Sequence, residues 1–428
     1  PFNFPVFKVI IEFKGGFIMF ESSSLVNSAL ELYKSFRDFV GIKDAIANNS
    51  HQLLSEDIEP RGARGRLERL PTLEAEGRDD FLTGFRNWRG STVQLAARNR
   101  FNKILSESGL NPKDDIPLEK IHSIIENDPV VGAEGLMRIY SQRFAHRNFY
   151  LSFADEADKY LEEMAKYEKL GPGSIQLDPS INIPAYAKHE IHMQPGGYVG
   201  NPFAGHLYHY GTNAFYSARA RDNYQDQYHA KLAEQVPTPH DNKVTKILDI
   251  GCGIGQFAVA LKERYPEAEV WGLEVSAPML RYGHMRAVDQ NVAVNFKQGL
   301  AEDTRFEDNS FDIVASYIIH HEMPADISRA IFAEAHRILR PGGFYFPIDF
   351  FTSGRRGIPG AFPKYQEWKD HRWNNEVWRM EYKGMDFAGD MEKAGFKVSH
   401  NGLPTSLDPY LEDNRKSISR NICGTKIA

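Results

Sequence analysis

Cysteine is nearly missing: Cys252 and Cys423 are the only two in 428 residues. That is too few for a disulfide framework or a zinc ribbon, and it suits a reducing, cytoplasmic setting. Long apolar runs are missing too. No stretch of about 18 uncharged apolar residues occurs, so nothing reads as a membrane span. An excess of positive charge is also lacking. Fifty-one Lys and Arg face 57 Asp and Glu, a formal −6, whereas polyanion-binding proteins need a basic surface. Neither nucleic acid nor membrane is an expected partner. Repeats and low-complexity tracts are absent. With 42% hydrophobic and 25% charged residues, the chain is neither disordered nor fibrous, and its length favours two folded units.

Residues 1–20 read as a peripheral tail. The first eighteen precede Met19 and lack the basic start, apolar core and small-residue cleavage site of a signal peptide. From 21 to 180 the pattern is helical. Ser91 and Gln94 are spaced as a capping box before a helix at 92–107 that Gly109 stops. Pro117 opens a short helix to Asn127, and a longer one runs from Leu136 to about Leu170 before Gly171-Pro172-Gly173. The charged stretch 57–80, with Arg61, Arg64, Arg66 and Arg69, reads as a solvated connection.

After about 240 short apolar runs alternate with helices. Strands are expected at Lys246–Ile250, Glu269–Glu274, Ala293–Phe296, Phe311–Ser316 and Phe344–Phe350. Helices lie between them at Gln256–Tyr265, Pro278–Val288 and Ala325–Leu339. Such alternation means an α/β fold with a mostly parallel sheet. The first strand ends in Asp249-Ile250-Gly251-Cys252-Gly253-Ile254-Gly255 and enters a helix directly. Glycines there let the backbone turn sharply and approach a ligand. Gln256 breaks the dinucleotide fingerprint. An acid beside the loop repels a pyrophosphate and suits a cationic ligand. Glu274, ending the second strand 19 residues after Gly255, can accept both hydroxyls of a ribose. A sulfonium, an amino group and a ribose without phosphate describe S-adenosylmethionine better than NAD or ATP.

Here the sequence resembles the class I S-adenosylmethionine-dependent methyltransferases of the small-molecule subgroup. The likeness spans about 244–350, in KILDIGCGIGQFAVAL (246–261), VWGLEVSAPML (270–280), GLAEDTRFEDNSFDIVAS (299–316) and HRILRPGGFYF (336–346). The resemblance implies a Rossmann-like, seven-stranded, mostly parallel sheet with an antiparallel last strand, preceded by an all-α N-terminal domain. It implies that Asp249, Gly251, Gly253 and Gly255 hold the methionine part, Glu274 the ribose, and Val275 and Met279 the adenine. Where the family usually reads Gly-Asp-Ala-Glu, this chain has Gly299-Leu300-Ala301-Glu302. Leu300 cannot hydrogen-bond adenine, which leaves the Ala301 amide, with Glu302 beside it. The family's closing helix and hairpin fit Gly384–Ala394, Gly395–Ser399 and Arg420–Ile427, the last strand inserting between strands five and six.

Ligands in such sheets bind beyond the carboxyl ends of the strands, so Ser316, Tyr317, His320, His321 and Glu322 should face the transferred methyl group. His320, His321 and Glu322 are candidate bases for an acceptor that must lose a proton. One of the histidines is equally well read as packing on the sheet. Between Tyr186 and His229, 44 residues hold seven Tyr and five His, against roughly 3.5 expected by proportion. This segment, within 181–240, reads as a cap in which His192, Tyr198 and the adjacent Tyr208, His209 and Tyr210 bound the site. His189-x-x-His192 and His206-x-x-His209 raise a metal reading, which lacks a fixed scaffold and a cysteine; no metal is expected. The insertion 351–383 holds Trp368, Trp373 and Trp378 among the chain's five tryptophans. It reads as a substrate roof with Trp373 on it, or as a domain interface; in the resembled family this insertion shapes acceptor pockets.

The expectation is therefore a methyltransferase core over 241–428, with S-adenosylmethionine as cofactor and a small-molecule acceptor methylated on O, N, S or C. The helical unit either covers the acceptor site or pairs two subunits. The rivals are a macromolecule methyltransferase and a non-enzymatic cofactor sensor or scaffold.

Overall fold

The computed structural model describes residues 9–13, 16–20, 70–217, 224–350, 360–404 and 420–427. The helical reading of 21–56 and the connection at 57–69, with Arg61, Arg64, Arg66 and Arg69, lie outside the described residues, as does 351–359 of the insertion; the rest of that expected connection is helical from Leu73. The chain divides into two compact units, 1–60 and 61–428. In the first, β1 (Val9–Phe13) and β2 (Gly16–Phe20) pair antiparallel, Val9 opposite Phe20.

The second unit begins with α1 (Leu73–Trp88), capped by the Thr72 hydroxyl, which accepts from the Ala75 amide. The expected capping box at Ser91 is not formed. α1 passes through a π-turn, Arg89–Val93, into α2 (Gln94–Glu107), and the Ser91 hydroxyl donates back to the Asn87 carbonyl. A Ser inside a continuing helix bonds to the preceding turn rather than opening a new one. Next come α3 (Leu118–Ile125), α4 (Pro129–Ala154) and α5 (Ala157–Tyr167). Asp128 caps α4 with Pro129 at its first position, so that helix starts seven residues before the expected Leu136.

The strand β3 (Ser174–Gln176) follows in what the sequence presents as a boundary. α6 (Ala204–Ser217), α7 (Tyr224–Ala233), β4 (Lys246–Ile250), α8 (Gln256–Arg264), β5 (Glu269–Glu274), α9 (Ala277–Asp289), β6 (Asn295–Gln298) and β7 (Phe311–Tyr317) come next. After them lie α10 (Ala325–Ile338), β8 (Leu339–Ile348), α11 (Ala361–Trp373), α12 (Arg379–Lys383), α13 (Phe387–Lys393), β9 (Phe396–Pro404) and β10 (Arg420–Lys426).

The sheet order is β3-β6-β5-β4-β7-β8-β10-β9. The seven expected strands are present, and β10 is antiparallel between β8 and β9. The eighth strand, β3, was not expected. Its Ser174 and Ile175 pair parallel with Asn295 and Phe296 on the edge, and three residues are too few to show a periodicity of their own. One face packs α7, α8 and α9 through Leu232, Phe257 and Leu280; the other packs α10 and α13 through Phe332 and Met391. The chain leaves β4 toward β5 on one side and later returns to β7 on the other, so a crevice opens at the carboxyl end of β4. Among the described residues no helix is long and apolar enough to cross a membrane.

The helical region does not stand apart from the sheet-bearing part. Leu70, Phe149 and Phe153 share a core with Phe203, Leu207 and Tyr210 of the aromatic segment. Phe101, Leu105 and Ile121 share another with Phe362 and Tyr365 of α11. Beneath the latter, buried Glu134 is bridged by Lys369 and by Arg89, the second at 2.7 Å.

Candidate active site

At the β4 crevice Gly251, Gly253 and Gly255 all have positive φ, +67°, +54° and +72°. A Cβ at Gly251 would stand 2.6 Å from Ile319 Cγ2, and one at Gly255 would stand 2.6 Å from the Phe296 ring. The loop therefore needs glycine for both conformation and space. Gly255→Ala should destabilise the fold by about 3 kcal/mol or more, adding backbone strain to overpacking; chemical denaturation would measure it. Gln256, which breaks the dinucleotide pattern, donates to Asp226 at 2.6 Å, and Asp226 is ion-paired to fully buried Arg286. This locks the helix after the loop to α7 and α9.

Two carboxylates face the loop. Glu274 accepts from the Gly253 amide at 3.1 Å and from the Ser276 amide at 3.0 Å. Burial pushes its carboxyl above the usual range. Asp249 is 1% exposed, and neither of its oxygens makes a hydrogen bond of normal geometry among the described residues, the Ala258 amide being the donor nearby. Burial pushes it well above the usual carboxylate range, with the Ala258 amide pulling the other way and Glu274 adding to the rise. A buried carboxylate left without a partner is costly unless something cationic or donor-bearing meets it. This chemistry fits S-adenosylmethionine: cationic, amino-bearing, and carrying a ribose for Glu274.

These residues open into one cavity of about 1050 Å³, which Val275, Met279, Ala301 and Tyr317 also line. Not every expected contact is there. Gly255 lies behind the loop against Phe296. Glu302 is taken by the Tyr186 hydroxyl, which donates at 2.8 and 2.9 Å. Ser316 is fully buried and bonds the Tyr345 hydroxyl at 2.8 Å beneath the sheet end.

The far side of the cavity is built around Glu322. Its Oε1 lies 3.1 Å from His192 Nε2 and 3.2 Å from His321 Nε2, while its buried Oε2 has no hydrogen-bond partner among the described residues. His321 is anchored from behind, Nδ1 to Asp349 Oδ1 at 2.7 Å. Burial alone would lower His321, but Asp349 and Glu322 raise it to about 10. The same balance leaves His192 above its usual value through Glu322 and Glu376. The two imidazoles more than offset Glu322's burial and hold it well below the usual range. His192 sits at φ +52°, and its carbonyl accepts from Gln142 at 2.6 Å and from His146 at 3.2 Å. Its Nδ1 accepts from Asn374 at 2.9 Å. Burial drops His146 to about 3, so it donates here as a neutral ring.

His320 goes elsewhere. Ile318 takes φ +53° and the chain enters a 3-10 turn at His320–Glu322. The His320 ring is thereby placed against Phe332 and Phe387, 2.7 Å from the Tyr345 hydroxyl. It is the histidine that packs on the sheet, held neutral by burial with a pKa of about 4.

The aromatic segment is divided by helix geometry. Consecutive residues of a helix point about 100° apart, so Tyr208, His209 and Tyr210 of α6 do not converge. Tyr208 lines the cavity and meets Tyr198 edge-on at 5.9 Å. Burial raises its hydroxyl, and the nearby Glu322, Glu274 and Asp249 all add to the rise. His209 turns instead to the Tyr282 hydroxyl at 2.9 Å, and Tyr210 packs on Phe149 and Phe153. Trp373 stacks edge-on with Trp368 and covers Gly135. In the insertion Tyr365, Trp368 and Trp373 thus grip the helical region, while Phe362 and polar Asp370, Asn374 and Glu376 face the cavity.

Gln142, His146, Asp349 and Arg379 are the residues sequence reasoning missed. Gln142 and His146 stand one turn apart on the buried face of α4; buried polar residues at helical spacing were the available signal. Asp349 follows β8, in a position that only sheet pairing brings beside His321.

Residues 247–343 match the family model described as a methyltransferase domain. With the fold and the cofactor-fitting loop, this defines a class I S-adenosylmethionine-dependent methyltransferase domain, an enzyme domain whose cofactor is S-adenosylmethionine. Over 180 residues the chain is 29% identical to a demethylmenaquinone methyltransferase of Listeria monocytogenes, covering 37% of this chain and 75% of that protein. Over 169 residues it is 30% identical to the ubiquinone/menaquinone biosynthesis C-methyltransferase UbiE of Brucella abortus, covering 35% and 61%. For a Lactiplantibacillus plantarum relative the covered share of that protein is 41%, and for a Thermus thermophilus one 47%. Among solved structures, the chain is similar to Haemonchus contortus phosphoethanolamine N-methyltransferase 2 in complex with S-adenosyl-L-methionine. The identity is 19%, the coverage 48% of this chain and 53% of that one, and the TM-score 0.33.

Proposed function

We propose that the whole chain is a small-molecule methyltransferase that transfers a methyl group by in-line displacement. One observation carries this reading: a single cavity holds two sets of buried carboxylate oxygens without a hydrogen-bond partner among the described residues, those of Asp249 by the glycine loop and Glu322 Oε2 by His192. The first set suits a cation; the second suits a donor O–H or N–H on the molecule that receives the methyl group. S-adenosylmethionine, when bound, supplies a methyl group on a strongly electrophilic sulfonium.

The rest falls to this chain's side chains. Asp249, the glycine loop and Glu274 hold the cofactor end. Tyr208 and Tyr198 close the junction and exclude water. Glu322 Oε2, kept ionised, accepts the hydrogen bond of the acceptor's O–H or N–H and orients the nucleophile for attack, and the proton released on methylation leaves to solvent. His321 and His192 keep Glu322 ionised, and Asp349 keeps His321 in place. Tyr317 lines the floor; His320 has no part in the chemistry. The helical region acts as the wall of the acceptor chamber, since Gln142 and His146 hold His192 in position. A small aromatic acceptor agrees with the names of the curated relatives, which are quinone-type methyltransferases.

Release of S-adenosylhomocysteine from purified protein over a panel of phenols, amines and thiols tests the reading. Label from [methyl-³H] cofactor recovered only in protein or RNA would overturn it, and tight cofactor binding with no turnover on any extract would favour a sensor. Glu274→Ala should weaken cofactor binding by about 1–3 kcal/mol, measured by calorimetry. Unchanged affinity would remove Glu274 from the site.

A further inference from the structure

Beyond Glu322 the cavity continues as a trough between two helices. Arg86, Gly90, Gln94 and Arg98 line it from the α1–π–α2 rod, at successive steps of four. Opposite them stand Phe362, Gln366 and Asp370 of α11 and its C-cap Asn374, again at steps of four. Residues four apart share a helix face. The helices run in opposite senses. At one end Asn374 donates to His192, and at the other the Arg98 guanidinium lies over the Phe362 ring at 6.0 Å. Twelve residues at the α-helical rise give each wall a length of about 18 Å.

The trough is polarised. Its inner acids are already engaged, Asp370 by Arg138 and Glu376 by Arg379. At its outer mouth Arg98 is exposed and has no carboxylate partner among the described residues. Midway, Gly90 lies in the π-turn, and a Cβ there would meet nothing within 4 Å. π-turns recur at functional sites because they re-aim one face of a helix, and this one opens the wall onto the cavity.

We infer that the acceptor is an extended molecule whose reacting group lies at Glu322 and His192 and whose distal end carries an anion, carboxylate or phosphate, held at Arg98. The inference rests on the acceptor end of the proposed function.

The probes are ω-(4-hydroxyphenyl)alkanoic acids of graded chain length, their ω-amides, and the phosphate-ended analogues, titrated calorimetrically into the full chain. Affinity for the acids should rise at least tenfold with length, and the longest acid or phosphate should bind at least tenfold more tightly than its amide. The acid-to-phosphate ratio identifies the anion. Arg98→Gln should erase the preference for the anion while keeping the gain with length. Gly90→Phe, placed in open space, should erase the gain with length. Affinities that ignore both length and end group, or a Gly90→Phe protein that keeps both gains, would overturn the trough. S-adenosylmethionine binding in the same samples should be unchanged by either variant. Its absence from the parent chain would count against the cofactor reading alone.

Discussion

Asp249→Asn is expected to make the cofactor-free chain more stable at neutral and alkaline pH, and to bind S-adenosylmethionine more weakly. The parent carboxylate is buried without a hydrogen bond of normal geometry among the described residues, so ionising it there costs on the order of 1–3 kcal/mol more than holding a neutral amide. The sign follows from its raised folded pKa. Below the unfolded value of about 3.9 both states are protonated and no penalty exists. As pH rises from there through the folded pKa, the folded state must give up a proton it holds more tightly, so stability falls. The variant lacks that fall, and its advantage should open across this window and then level off. Cofactor reverses the ranking, because a cationic ligand makes the buried charge favourable. Thermal unfolding against pH, with and without S-adenosylmethionine, reads both effects. A variant less stable than the parent at pH 8, or one with parental cofactor affinity, would sink the assignment.

Glu322→Gln should lower kcat about a hundredfold or more, the scale of a misoriented nucleophile, with cofactor affinity kept. It should also lower stability by about 3–5 kcal/mol, since it strips a buried carboxylate from two imidazoles. The pH dependence separates this from a simple packing defect. His321 is raised to about 10 when folded. Its contribution is complete below the unfolded value of about 6.5 and is lost as pH climbs toward 10. Removing Glu322 takes away one of the two acids that raise it, so stability between those limits should depend less on pH. A variant that turns over normally would give the orienting role to another group; an unchanged alkaline slope would mean that Asp349 alone holds His321.

The cofactor half of the site was legible because its information is local. The glycine loop, the acid before it and the acid ending the next strand lie within 26 residues, and strand and helix periodicity place them without knowledge of the rest. The acceptor half was legible only in part. Glu322 and His321 could be named from their place after β7, but which side chain of the turn points outward depends on the left-handed Ile318. His192 was named on its aromatic surroundings, yet it acts through Gln142, Asn374 and Glu322, contributed by three separate elements.

Composition and period thus determined an α/β sheet with an acidic, glycine-lined cofactor end. Each such feature is a property of neighbouring residues, and the physics acting on it, backbone conformation and periodic burial, is short in range. Only the tertiary structure decided that α1, α2, α4 and α11 wall the same cavity as the glycine loop, and that Asp249 and Glu322 Oε2 are left without hydrogen-bond partners in it among the described residues. Whether a buried polar atom is satisfied depends on every chain segment that reaches it, and that is settled by packing.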